Sequence, residues 1–310
     1  MTTFNHVTDI GQRDIVSSLE DNVKSFLDWS FLNIGGFINV GIPISASSGP
    51  YKLTPVSGDP SLVYPRTWES TRKDWIYETG VTYNNTHPTN ISGINLNGTF
   101  LPAPTGSGAY SYWINYPLGR VTFNNNIAAN SNITLAYSFR FVQVYKANEN
   151  SWWKDIQDNQ YNPSSVLAGS GTSYLTNSIQ LPSIVIETAP RSISIPHELG
   201  STANILRQDL LLHIFAENPV QRNNLIDIML KQKDKALNLY NINKLVKNNR
   251  QSLNYRGEAN SNRLNYDQIV NDNAFIFKRC YIHNAILSEI QSFSATLHHG
   301  VIRWTMEIFP

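Results

Sequence analysis

The chain has 310 residues and is 41% hydrophobic, enough for real cores in two ordinary domains or one large one. Only 15% of its residues are charged and the formal net charge is +1, which excludes a general polyanion binder, whose domain should be visibly basic. A single cysteine, Cys280, excludes an intrachain disulfide framework and reads as a buried, inert thiol. The opening MTTFNHVTDIGQRDIV has no basic region followed by an apolar core, and no run approaches a membrane span. Neither secretion nor insertion is expected.

Thr8 or Asp9 can cap a helix running from about Gln12, in which Ile15, Leu19, Val23, Phe26 and Leu27 follow a 3.6-residue period. That helix should break by Gly35-Gly36. The segment from Trp29 to Ile44 is too apolar for a solvated loop, so it is expected to be buried in its own subunit or against a neighbour. Ser, Gly and Pro from Ser45 to Pro65 signal an extended connector, and TWESTRKDWIYETGV resumes strand-like alternation around Trp68, Trp75 and Tyr77. From Ile94 to Tyr145 the pattern predicts an unbroken antiparallel meander. Tyr110, Tyr112, Ile114 and Tyr116 share one parity; Ile133, Leu135, Tyr137, Phe139 and Phe141 share another face. At Phe141-Val142 the apolar parity flips, as a bulge or a strand changing packing partner would make it do.

Beyond Lys146 the chain turns polar up to Leu181, carries Trp152-Trp153, and offers the best domain boundary. Ile184 to Glu187 is a short strand, and the proline-containing stretch Ala189 to Pro196 continues extended. Arg207 to Asn218 is a strand with apolar residues on both faces, hence a central one. Asn218-Pro219 then caps a helix expected to carry Leu225, Ile226, Met229, Ala236, Leu237 and Tyr240 on one side. Lys247 to Asp272 looks loop-rich, and Ile302, Trp304, Met306 and Ile308 alternate in a closing strand with one buried face. The fold class is α+β: an N-terminal helix and apolar arm over residues 1–50, an antiparallel β-rich domain, sandwich or barrel-like, over 51–180, and an α+β domain over 181–310.

Signatures of catalysis are weak throughout. There is no phosphate-binding loop, no dinucleotide fingerprint, no HExxH and no cysteine pair for zinc, so no catalytic residue, cofactor or metal is expected. A strand would point the adjacent His298 and His299 to opposite faces, so both are read as polar rim residues. His197-Glu198 reads as a capped turn. Asp155 with Asp158, and Glu69 with Asp74, are carboxylate pairs of the kind any chain of this size offers. Trp152 and Trp153 are candidates for a partner-docking surface, with sugar stacking as the other reading.

Taken together, the blocks DNVKSFLDWSFLNIGGFINV, TWESTRKDWIYETGV, YPLGRVTF, LPSIVIE, HELG and RQDLLLHIFAEN resemble virion structural proteins of contractile-tailed phages, particularly those infecting cyanobacteria. The C-terminal strand, the LIDIMLKQKDKALNLY helix and the closing VIRWTMEIF look like the α+β core of tail-terminator and neck proteins. That resemblance implies a non-enzymatic virion protein, made in the host cytoplasm, that forms a homo-oligomeric ring, commonly sixfold, at the head-tail junction. Its implied partners are itself, other phage neck and tail proteins, and DNA passing through the ring without sequence-specific binding. Ring closure needs two different complementary patches. Trp29, Phe31, Phe37 and Ile38, with Trp304, are the candidate subunit-interface residues, and Trp29 to Ile44 the expected arm into a neighbour. The alternative function is a baseplate or tail-associated carbohydrate-binding β-domain.

Overall fold

The computed structural model describes residues 11–43, 48–57, 59, 61–103, 108, 110–149, 152–154, 180–198 and 204–309. Helix α1 (Gly11–Asn33) buries Leu19, Val23, Phe26 and Leu27 through their shared face and stops at Gly35-Gly36, as its periodicity and the glycine pair dictate. Its expected caps, Thr8 and Asp9, lie outside the described residues.

The chain forms two units, and neither is continuous in sequence: the first is Met1–Asp28, Val144–Lys244 and Tyr266–Pro310, the second Trp29–Gln143 and Leu245–Asn265. Three consecutive domains were expected. The passage at Gln143/Val144 falls beside the parity flip at Phe141-Val142: Phe139, Val142 and Val144 are buried while Phe141 is exposed. The strand ending at Arg140 and the one starting at Gln143 belong to different sheets, so the flip marks a change of packing partner.

In the second unit, strands β1 (Phe37–Val40), β2 (Lys52–Pro55), β3 (Thr67–Glu69), β4 (Gly93–Leu96), β5 (Thr99–Pro102), β6 (Tyr112–Asn115), β7 (Arg120–Phe123), β8 (Ile133–Thr134) and β9 (Tyr137–Arg140) are all short. Asn97 and Gly98, at φ 51° and 86°, form the two-residue turn that joins β4 to β5, a place where only Asn, Asp and Gly sit comfortably. The sheet order is β5-β4-β8-β2-β3-β7-β6, with β1 and β9 as a separate ribbon. The expected unbroken meander is therefore corrected. Its two hairpins, β4–β5 and β6–β7, stand at opposite edges of one sheet because β8, β2 and β3 come between them. The core gathers Trp68, Trp75, Ile94, Phe123, Ile133 and Tyr137, all nearly inaccessible. Arg140 is held by Asp74 at 2.9 Å and by Glu78, so its buried guanidinium pins the end of β9 to the preceding loop.

The first unit is built on a sheet of order β10-β11-β12-β15-β14-β13, from β10 (Gln143–Lys146), β11 (Ser183–Pro196), β12 (Asn204–Ala216), β13 (Ala236–Tyr240), β14 (Ile276–Ser294) and β15 (Leu297–Ile308). β12 is indeed central. It pairs antiparallel with β15 from Leu206 opposite Ile308 to Ala216 opposite His298. Helix α2 (Pro219–Leu230), capped by the Asn218 side chain with proline in its first turn, packs over β12, β14 and β15. Beneath it Leu210, Leu212, Ile214, Ile302, Trp304 and Met306 are fully buried, and Trp304 Nε1 donates to Met229 O at 3.2 Å. A Cβ on Gly300 would lie 2.8 Å from Ile226 Cδ1, so the bare backbone there lets the helix approach. α1 is tied to this unit by Asn22, which bonds both N and O of Tyr240, and by Glu20, which accepts from Thr188.

Two expectations need correction here. Helix α2 ends at Leu230, and Ala236 to Tyr240 form strand β13; Asp234 at φ 67° turns the chain out of helical geometry, and Leu237, Leu239 and Tyr240 then bury against β14. The N-terminal helix is part of the core rather than an appendage, since Leu19, Val23 and Leu27 are buried, and within the expected arm Phe31 and Val40 are buried too. Short helices α3 (Ile242–Lys247) and α4 (Tyr266–Asn271) flank the loop-rich stretch that the sequence anticipates. Replacing Trp304 by Ala should cost about 3–5 kcal/mol in urea-induced unfolding, since the lost indole leaves a cavity under α2 and an unpaired Met229 carbonyl. A cost near zero would contradict this packing.

Candidate functional site

The register of β12 on β15 puts Arg207, Asp209, Leu211, His213 and Phe215 on one face with Glu307, Thr305, Arg303, Val301 and His299, opposite the face that α2 covers. One end of this face is charged. Arg207 pairs with Glu307, and Asp209 accepts from Thr305 at 2.7 Å and from Arg303 at 2.5 Å. These groups line a shallow concavity of about 360 Å³, but each guanidinium already faces a carboxylate, so little charge is left for a ligand.

The other end is aromatic. His213 stacks on His299 and meets Trp153 at a tilt, and His299 stacks against both Phe215 and Phe293, which also stack on each other. His213 Nε2 is 3.1 Å from Glu187 Oε2 and its Nδ1 is 3.3 Å from His299 Nε2. A carboxylate only accepts, so His213 donates from Nε2 and receives the His299 Nε2–H at Nδ1. His299 Nδ1 is then a bare acceptor, buried and without a hydrogen-bond partner. Burial, the adjacent His213 and the Arg222 guanidinium push His299 down to about 3, and burial also lowers His213 against the opposing pull of Glu187 and Glu289. Both rings are neutral at pH 7. With its free nitrogen sealed, the pair is suited to orienting the sheet rather than to moving protons for a substrate.

The reading of His298 and His299 as rim residues is corrected: both are buried, on opposite faces, because Trp153, Phe215 and Phe293 close over the end of the sheet. Trp153 is core and Trp152 is half-buried, edge-on to Tyr145 and Phe215, so the indole of Trp153 offers no docking surface. Trp304 is likewise 0% exposed and has no surface for a neighbour. Phe31 is buried, and Trp29 and Phe37 pack on Leu32, Ile76 and Val81 within the second unit. Only Ile38 of the proposed interface set is open, at 42%, with Ile34 and Ile42 also exposed nearby in sequence. Glu69 and Asp74 are engaged by Arg120 and Arg140; Asp155 and Asp158 lie outside the described residues. Cys280 is buried and its thiol is pushed up to about 12 by burial, which keeps it protonated. Among the described residues no cluster of His, Cys, Asp or Glu is arranged to hold a metal ion, and no helix is long and apolar enough to cross a membrane.

Sequence reasoning missed β14 altogether. Its pairing with β15 shifts register between Ile282 and Asn284, Leu287 and Glu289, and Ser292 and Ser294, so no period of two survives in the sequence. β13 covers only Ile276 to Tyr281 of its outer edge, and Ile282 exchanges bonds with the backbone of Asp234 and Lys235. From His283 to Ser294 no described strand pairs with that edge, which carries neither Lys nor Pro and exposes Ile286 (50%), Leu287 (38%) and Ile290 (48%). An open apolar edge of this kind is a ready template for another strand.

The buried histidines give a pH test. An unfolded His299 titrates near 6.5 and the folded one near 3, so the unfolded state binds more protons between these values and stability falls as pH drops through 6.5. His299→Phe should flatten the slope of unfolding free energy against pH between about 6.5 and 5 by up to about 1.4 kcal/mol per unit. An unchanged slope in urea titrations would rule out the neutral buried pair.

No protein-family model matches the chain, and no curated protein matches it.

Proposed function

We propose that this chain is a structural protein of a tailed-phage virion that forms a homo-oligomeric ring at the neck or tail terminus, joining tail to head. The observation that supports assembly is the outer edge of β14, which no described strand pairs from His283 to Ser294, with Ile286 exposed on one face and Leu287 and Ile290 on the other. The bulges and Glu289 blunt this edge only in part, since Ile286, Leu287 and Ile290 stay exposed. A ring uses it: each copy offers the β14 edge and receives at a different patch, so the contact is heterologous and closes under rotation. The complementary patch is the unpaired side of β1 with exposed Ile34, Ile38 and Ile42.

The resemblance of the block order to that of contractile-tailed phage proteins supports the virion setting, and sixfold closure accompanies it. A near-neutral chain also suits a ring through which DNA passes without being gripped. The role asks for no catalytic group, only for surfaces that keep a fixed geometry under load, which a long, highly paired sheet provides.

Mass photometry or sedimentation of the purified chain should give a single closed oligomer. Ile286→Lys with Ile290→Lys should convert it to monomer, with unfolding free energy changed by no more than about 0.5 kcal/mol, because both side chains face solvent within the subunit. Ile38→Lys should do the same. A wild-type chain that stays monomeric at micromolar concentration, or a double variant that still closes, would overturn the reading.

A further inference from the structure

The loop-rich stretch 245–265 forms one wall of a concavity of about 540 Å³ in the second unit, within the roughly 300–1,000 Å³ typical of small-molecule sites. The wall is built rather than loose. Asn254 Oδ1 accepts from the N–H groups of Arg256 and Glu258 while its Nδ2 donates to Glu258 Oε2 at 2.7 Å, and Asn260 Nδ2 bonds both the backbone and side-chain oxygens of Asn249. Arg263 is fixed by Nη1 to Asn260 O at 2.9 Å and by Nη2 to Tyr77 O at 2.8 Å. The Tyr116 N–H donates to Gly257 O, and Asn115 Nδ2 donates to Arg256 O, so the loop is fastened to the end of β6.

These bonds leave a particular set of groups unspent. The Tyr116 hydroxyl, Glu258 Oε1 and the Ser261 hydroxyl make no hydrogen bond among the described residues, whereas Arg263 Nε, though without a partner, is sealed from the cavity. They surround an apolar floor that includes Ile91 and Ile114. The one carboxylate and one guanidinium balance, so the site has no net charge to draw an anion or a cation. Next in the chain to Asn254, Tyr255 is 89% exposed and is backed by the Arg256 guanidinium, which also lies over Trp113.

From this geometry we infer a binding site for a neutral carbohydrate, about one or two sugar rings in size. Vicinal hydroxyls both donate and accept, which matches a carboxylate oxygen and two hydroxyls around one cavity, and the C–H face of a pyranose suits Ile91 and Ile114. The binding face thus lies in the second unit and not at Trp152-Trp153. It does not depend on ring formation.

The test is saturation-transfer NMR on the full chain with a panel of glucose, galactose, mannose, N-acetylglucosamine, maltose and lactose, and with phosphate, acetate and a tetra-alanine peptide as competitors. At least one sugar should receive saturation and none of the competitors should displace it. Glu258→Gln, which can keep the bond from Asn254, should weaken that sugar at least about tenfold, and Tyr116→Phe should weaken it as well, while the oligomeric state stays that of the wild type. Silence across the sugars, displacement by phosphate, acetate or peptide, or sugar signals unchanged in both variants would each overturn the proposal.

Discussion

The pairing of β12 with β15 is the constraint on which the first unit depends. Once Leu206 stands opposite Ile308 and Ala216 opposite His298, every side chain on both strands has its face assigned. One face becomes a continuous apolar strip from Leu210 and Trp304 to Ile214, and α2 must cover it; the bare backbone at Gly300 lets it do so closely. The opposite face is split by the same register into a charged half, where Arg207 meets Glu307, and an aromatic half, where Phe215 meets His299. A slip of one residue would put Trp304 in solvent and the arginines under the helix.

The same sheet explains why no described strand pairs with most of the outer edge of β14. It is the longest of the described strands, Ile276–Ser294, and its partner β13 is only Ala236–Tyr240. Its bulges twist the strand without hiding Ile286, Leu287 and Ile290. In the second unit, by contrast, short strands and tight turns such as Asn97-Gly98 make a sheet held together by its core aromatics and by the buried Arg140 ion pairs.

Where periodicity was strong, the sequence was legible. The α1 face, the central β12, the Asn218-Pro219 cap and the alternating Ile302 to Ile308 all follow from 3.6- or 2-residue spacing and from standard cap chemistry. The failures have definite causes. α2 was extended to Tyr240 because Leu237 and Tyr240 fit a helical stripe as well as a strand, and only the left-handed turn at Asp234 decides between them. β14 was invisible because bulges destroy its alternation. The meander was read as continuous because local pattern cannot reveal that residues 52–69 insert between its hairpins. His299 reads as a rim residue in sequence because its burial comes in part from His213 and Phe215, distant in sequence. The apolar character that marks Trp304 and Phe31 as interface candidates, and Trp153 as a docking candidate, is also what buries them inside the subunit.

The central claim is that copies of this chain close into a ring through the free edge of β14. Electron-microscopy reconstruction of the purified protein tests it most directly. The account predicts rotationally symmetric rings in which the β14 edge of each subunit, from His283 to Ser294, lies against the Ile34–Ile42 patch of the next. Isolated single subunits, or symmetric particles whose contacts leave the β14 edge in solvent, would contradict it.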